Sequence, residues 1–503
     1  MGDAPLLSDV LPDGPPLYLE PRLAPLAAAL LEGGAFLHAL VDALGSPLNV
    51  VLPDQIAENA ERFRAVYRRH SLGGRIFFAH KTNRSSALLR RLAATGPGVG
   101  VDVASLGELQ HALGAGFGPD RIVATGPKDP DFLWLAVLTG VTVNADGAEE
   151  LDRAAALVRD HGLPRVRVLL RLSDFETGTG VRRLSRRSRF GTPTAALARL
   201  LDTAERYRDQ LEPVGVAYHL DTTSPDEKAT ALAGCLRAME ELQKRGFGPR
   251  VIDIGGGFGV GYLAHADQWE RYTSALTDAV MGRRPPLTWG GHGYGLHAEN
   301  GTLRGSLGLY PAHREVTGAA YLDELLSRPA PGLDRPLGTL LLESLHDLYT
   351  EPGRALADQC GLSLARVLEV RRTDAGETFV RLAMNAGDVS LEDHGVLMDP
   401  VLLPRDPTPA DTRGPVGVHL MGNLCLEADL ITRRTVFLPR LPRPGDLLAF
   451  ANTAGYCMDF GATRAQQQPV ARKVAVHRAD DGSWHWCLDE QYWPHTPPGG
   501  PQA

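Results

Sequence analysis

Residues 75–104 read RIFFAHKTNRSSALLRRLAATGPGVGVDVA, and this stretch decides the fold class. Arg75–Lys81 carries an apolar run of strand length, Ser85–Ala94 brings its apolar residues round at helical spacing, and Val99–Ala104 is β-branched again. Strand, helix and strand in succession build parallel sheet. The alternation continues to about Leu345. Further strands are expected at Arg121–Thr125, Val141–Asn144, Val166–Leu172, Val214–Leu220, Val251–Ile254 and Thr339–Glu343. Amphipathic stretches such as Ala148–Asp160, Ala195–Arg206 and Glu227–Arg245 lie between them. About eight such units predict an α/β fold, a closed (β/α)8 TIM-type barrel, with an open doubly wound sheet as the alternative.

Past Glu351 the texture changes. Leu364–Arg371, Phe379–Met384, Gly417–Met421, Leu447–Asn452 and Val470–Val476 read as strands between Pro/Gly turns, which predicts a C-terminal, mainly β domain of Greek-key or sandwich type. The expected division is a helical segment and strand at 1–53 joining the β domain, a barrel at 54–345, the β domain at 346–493 and a loose tail at 494–503. A Gly/Pro-rich insertion is expected inside the barrel at about 282–336.

A chain of 503 residues is too long for one ordinary core, in agreement with two domains. Hydrophobic residues make up 43% and charged residues 22%, an ordinary globular balance. The net charge of −8 offers no basic face, so nucleic acid is not an expected partner. Cys235, Cys360, Cys425, Cys457 and Cys487 contain no C-x-x-C pair, which argues against a disulfide framework and a zinc site and fits a cytoplasmic setting. No metal is expected. Acidic residues at Asp3, Asp9 and Asp13 do not resemble a signal peptide, and Pro25, Glu32, Gly33 and Gly34 interrupt the apolar stretch Leu23–Leu40, so no membrane association is expected.

Three motifs carry chemistry. A lysine at the C-terminal end of a barrel strand, as Lys81 is, points into the mouth where such barrels work. Partial burial there would favour the neutral amine that attacks an aldehyde, whereas a surface lysine is the plain alternative. Gly255-Gly256-Gly257-Phe258-Gly259 follows the strand Val251–Ile254, where glycines let backbone N–H groups approach a phosphate or simply allow tight packing. Glu351-Pro352-Gly353-Arg354 offers a carboxylate to a protonated pyridine nitrogen and a guanidinium to phosphate, or else closes a structural turn.

Together these elements resemble the fold type III pyridoxal-phosphate (PLP) decarboxylases, the family of diaminopimelate and ornithine decarboxylases, from about Leu37 to Gln491. The resemblance implies pyridoxal 5′-phosphate as cofactor and Lys81, in Phe78-Ala79-His80-Lys81, as its Schiff-base lysine. It places Asp102 near that lysine and His219 against the cofactor ring. Thr222, Gly255, Gly256, Gly257, Arg354 and Tyr456 fall at the phosphate, and Glu351 at the ring nitrogen. Ser188-Arg189-Phe190-Gly191 matches the family's basic-Phe-Gly loop and puts Arg189 at the substrate. Cys425 and Asp429 match the family's Cys-x-x-x-Asp segment, which reaches into the neighbouring subunit's site. A homodimer with shared active sites and Cys425 as general acid are therefore implied.

The sequence departs from the family where the substrate's far end would sit. Leu426 occupies the position after the cysteine that is normally acidic, and the turn Asn385-Ala386-Gly387 lacks the aspartate of ornithine-type enzymes. Asp393 and Leu397 stand in the stretch where diaminopimelate enzymes carry an Arg-Pro-Ala-Leu-Tyr run. The family's His-x-Gly-Ser turn is altered to His219-Leu220-Asp221-Thr222. The expected reaction is thus decarboxylation of an amino acid or amino-acid conjugate with a neutral far end, in an atypical member of the family. An amino-acid racemase on the same fold and a catalytically silent PLP-binding regulator are the alternatives.

Overall fold

The strand-like runs become a closed parallel barrel in the computed structural model, which describes residues 15–175, 188–406 and 414–494. Its eight strands are Gly74–Ala79, Val99–Val103, Ile122–Ala124, Thr142–Ala145, Val166–Ser173, Leu211–Tyr218, Val251–Asp253 and Asp347–Thr350. Each pairs in parallel with the next, and Leu348 opposite Gly74 joins the eighth strand to the first. The open-sheet alternative is thereby excluded.

The eighth strand is not the one expected. Leu337–Glu343, which contains the run read as a strand, is a helix that buries Leu337, Gly338 and Leu341. Three consecutive leucines fit either period, and Pro336 at the helix N-terminus decides for the helix. The strand follows it at Asp347–Thr350, where Leu348 and Thr350 are buried and Asp347 and Tyr349 are half-buried.

Phe77, Val123, Leu169, Ala217 and Val251 form one buried cluster. Four of the five sit on the first, third, fifth and seventh strands, the alternate-strand layering by which such barrels fill their interiors. Phe77 fits because its neighbour on the second strand is Gly100, where a Cβ would come within 2.6 Å of the Phe77 ring. Several of the helices that follow the strands are capped by a short polar side chain. Ser85, Ser105, Asp129 and Ser224 each accept the N–H three residues on.

This barrel unit comprises Leu52–Gly259, Val316–Asp358 and the segment from Cys487 onward. In that last segment Asp489 accepts hydrogen bonds from the Ser85 hydroxyl and from the Ser86 and Ala87 N–H groups, so its carboxylate sits at the N-terminus of the helix Ser86–Ala93. The other unit takes the chain up to Val51, Val260–Glu315 and Gln359–Trp486. Residues 282–336, read as one insertion, therefore divide between the units. The helix Gly318–Ser327 falls in the barrel unit.

The second unit is built on a nine-stranded sheet. Leu48–Val51 lies antiparallel to Gly361–Arg372 and parallel to Arg472–Arg478. Arg434, fully buried, pairs with Asp399, which also accepts the Leu19 N–H at 2.7 Å. At the turn Asn385–Asp388, the Asp388 carboxylate caps the Asn385 N–H at 2.8 Å. Burial pushes that carboxyl up to about 6.

Two stability measurements check this description. Phe77→Ala should lower the unfolding free energy by roughly 3–5 kcal/mol in urea denaturation, the usual penalty for emptying a buried aromatic site. Asp388→Asn should stabilise the protein by roughly 1–3 kcal/mol at pH 8, because the raised folded pKa means that ionising Asp388 opposes folding. That penalty is complete above about pH 6 and absent below the unfolded value, so the melting curves of variant and parent should converge towards about pH 4.

Candidate active site

The barrel gathers its ionisable side chains at the C-terminal ends of its strands. Lys81 lies in a single 3-10 turn, His80–Thr82, directly beyond the first strand. Its side chain is exposed, contrary to the expected partial burial, because the turn carries it beyond the apolar run while His80 and Thr82 stay buried. Its surroundings are set by charge instead. The Lys81 charge opposes the upward push that burial exerts on the carboxyls of Asp102, Glu108 and Glu351.

Asp102 stands opposite Ala79 in register, on the neighbouring strand. Burial, reinforced by the Glu351 charge, pushes it up to about 8 against the pull of Lys81. Asp253, at the end of the seventh strand, is pushed well above the carboxylate range by burial and by Glu351. Burial acts on Glu351 in the same sense, but His219, Lys81 and Arg171 together outweigh it and hold its carboxyl below the ordinary value. Of three crowded carboxyls, Glu351 is the one kept as an anion. His219 Nδ1 lies 3.5 Å from Glu351 Oε2. Loss of water pulls the imidazole pKa down against the attraction of that carboxylate.

Glu351 Oε1, Asp102 Oδ1 and Asp253 Oδ2 are buried with no hydrogen-bond partner among the described residues. Buried polar atoms are rarely left so. An acceptor held ionised at Glu351 fits a protonated pyridine nitrogen, and the adjoining glycine turn fits a phosphate.

That turn shows why glycine is required. Gly255 and Gly257 adopt φ of 63° and 83°, and Asp253 Oδ1 accepts the Gly255 N–H at 2.8 Å. A Cβ would meet the Tyr218 carbonyl at 2.7 Å from Gly255, the Glu351 carbonyl at 2.7 Å from Gly256 and the Thr222 carbonyl at 2.6 Å from Gly257. Tight packing and an anion cradle are thus one arrangement. The Thr222 hydroxyl oxygen accepts the Ser224 N–H at 3.0 Å, which leaves its O–H free to donate to an anion. Asp221, which replaces a glycine of the family's turn, is exposed. Arg354 is half-buried just after Glu351.

Arg171 and Asp253 join this group although neither was singled out from the sequence. The signal was available, since each is a charged residue interrupting an apolar strand, in Leu170-Arg171-Leu172 and Ile252-Asp253-Ile254. Arg171 pairs with Asp146 at 3.1 Å and lies 5.0 Å from the Phe190 ring centroid, which anchors the Ser188–Gly191 loop. Arg189 in that loop is exposed, 5.5 Å from the same ring. Arg182, Arg183, Arg186 and Arg187 lie outside the described residues.

The remaining expected site residues belong to the second unit. Cys425 is exposed, and its N–H donates to Gln466 Oε1 at 2.9 Å. Leu426 is 57% exposed, open for a side chain with no polar group to solvate. Asp429, expected at the substrate, is buried and already engaged. Its two oxygens accept the Ala386 and Leu424 N–H groups, both at 2.8 Å, so it staples the Cys425 loop to the Asn385 turn. Tyr456 takes φ of 73° and lies beside His394 and Phe460.

Comparisons with known proteins agree with this geometry. Residues 54–302 match the model of the pyridoxal-dependent decarboxylase family, pyridoxal binding domain. The uncharacterized protein y4yA of Sinorhizobium fredii is 31% identical over 92% of this chain and 95% of its own length. Diaminopimelate decarboxylase of Mycobacterium bovis is 27% identical over 92% of this chain and 94% of its own. In fold, the chain is similar to the diaminopimelate decarboxylase of Helicobacter pylori complexed with L-lysine, with a TM-score of 0.63, 19% identity and coverage of 90% and 95%. Barrel, β domain, buried carboxylates and these relatives agree that the chain belongs to the fold type III PLP-dependent decarboxylase family, with pyridoxal phosphate as its cofactor.

Proposed function

We propose that this chain decarboxylates an amino acid or amino-acid conjugate whose far end is neutral, with Lys81 as the amine that carries the cofactor. The observation behind this reading is Glu351, a buried carboxylate kept ionised at the barrel mouth with Oε1 unpartnered. Pyridoxal phosphate supplies a sink for the electron pair that carbon dioxide leaves behind. Glu351 holds a proton on the ring nitrogen, and so keeps that sink electron-poor. His219 would lie against the cofactor ring, and Asp102 sets the charge beside Lys81. The Gly255–Gly257 turn, Thr222 and Arg354 would hold the phosphate. The partner subunit's Cys425 delivers the proton that replaces carbon dioxide on carbon, which suits a thiol exposed on its loop.

Two observations support a neutral far end. Leu426 stands where the family has an acid, and Asp429 is occupied by backbone donors. A site without a free carboxylate there does not bury an ammonium, because an unpaired charge out of water is costly. Arg189, exposed beside Phe190, is the residue offered to a substrate carboxylate.

Carbon dioxide release from a panel of free and acylated diamino acids, with PLP present, tests the reading. Release should be fastest from neutral-ended or conjugated substrates and absent in Lys81→Ala. Equal turnover of free meso-diaminopimelate or ornithine would overturn the substrate assignment while leaving the reaction intact. Glu351→Gln should retain the cofactor but lose roughly 100-fold or more in kcat, the usual scale for removing a preorganised charge. Cys425→Ala should lose roughly 100-fold in kcat with little change in KM, as expected when only a proton donor is lost.

A further inference from the structure

A charged residue lies under the phosphate turn where the sequence pattern calls for an apolar one. Lys228 belongs to the first turns of the helix Pro225–Lys244, on the face that also buries Ala231, Leu232 and Cys235. It is 0% exposed. Each circumstance of its placement is unfavourable for a cation. It is out of water, it sits near the positive end of a helix dipole, and among the described residues no carboxylate comes within ion-pair distance of it. Its ammonium donates to the Gly256 carbonyl, and the Phe258 ring centroid lies 5.5 Å away. One acceptor for three N–H donors leaves a buried charge largely uncompensated.

The position of that ammonium indicates its use. A Cβ on Gly257 would meet Lys228 Nζ at 3.1 Å, beside the Thr222 carbonyl. The side chain therefore ends against the glycine turn that cradles an anion. Burial pushes it down to about 8, partly offset by Glu351 and Asp253, so the cation still predominates at neutral pH.

We infer that Lys228 is a phosphate-binding residue of this site, whose buried ammonium supplies the positive charge that the glycine turn and Thr222 lack. Its charge favours the cofactor's phosphate as a dianion from beneath the turn and, through the Gly256 carbonyl, it holds the turn that the phosphate meets. The inference rests on the cofactor reading above and adds to Arg354, which that reading already places at the phosphate, a second positive charge from beneath the turn. The rival role is a structural prop balancing Asp253 and Glu351 with no part in anion binding.

The two roles separate when a phosphate-bearing ring is compared with a phosphate-free one. Cofactor-stripped protein would be titrated at pH 7 with 4′-deoxypyridoxine 5′-phosphate and with 4′-deoxypyridoxine, followed by intrinsic fluorescence. Neither ligand has the aldehyde that reacts with Lys81, so binding alone is read. Lys228→Gln should weaken the phosphate-bearing ring roughly 10- to 100-fold, change the phosphate-free ring less than about 2-fold and leave the melting temperature of the stripped protein unreduced. Lys228→Arg, which keeps the charge, should keep the preference for the phosphate-bearing ring within about 3-fold of the parent. Equal weakening of both rings, or a destabilised variant with its phosphate preference intact, would overturn the inference in favour of the prop. Failure of the parent protein to bind either ring would overturn the cofactor site as well, an outcome recognisable because parent and variants would then be alike.

Discussion

The site depends on a backbone contact that only glycine permits. Where the eighth barrel strand closes on the first, a Cβ on Gly74 would lie 1.9 Å from the Leu348 carbonyl, and between the sixth and seventh strands a Cβ on Gly215 would lie 1.8 Å from that of Val251. Without these close approaches the strands could not hold their register, and Lys81 and Glu351 would not share one barrel mouth. The closing register is carried into the chemistry directly, since the Glu351 N–H donates to the Gly255 carbonyl at 2.9 Å. The closing strand, Glu351 and the glycine turn are successive links of one hydrogen-bonded path.

The electrostatics follow from that closure. Three carboxyls placed at neighbouring strand ends cannot all ionise in a site poor in water. His219, Lys81 and Arg171 select Glu351 as the anion, while Asp102 and Asp253 are held towards their protonated forms. A neutral Asp253 can still accept the Gly255 N–H and hold the turn. The opposite directions in which Asp253 and Glu351 are shifted come from their neighbours rather than from residue type.

Much of this was legible in the sequence because apolar strand runs and glycine turns announce themselves through composition. Seven of the eight barrel strands lie where β-branched and apolar residues concentrate, and the family motifs place Lys81, His219, Gly255–Gly257 and Glu351 on that frame. The leucine run at 340–342 misled because its periodicity is ambiguous. Lys81 is exposed although its strand is buried, a difference made by one turn of backbone. Arg171, Asp253 and Lys228 escaped notice because single charges inside apolar segments look like noise until the fold converges them.

The sheet of the second unit has a consequence for biosynthesis. Its strand Leu48–Val51 is made early, yet its antiparallel partner begins at Gly361, 310 residues later (361 − 51 = 310). At a translation rate of roughly 5–20 residues per second, that strand leaves the ribosome about 15 to 60 seconds before either edge can be satisfied. Its four residues, Leu-Asn-Val-Val, are fully buried in the finished protein and exposed throughout that interval. The barrel is translated in between, so the order of synthesis leaves this short strand without its sheet partners until the barrel has been made.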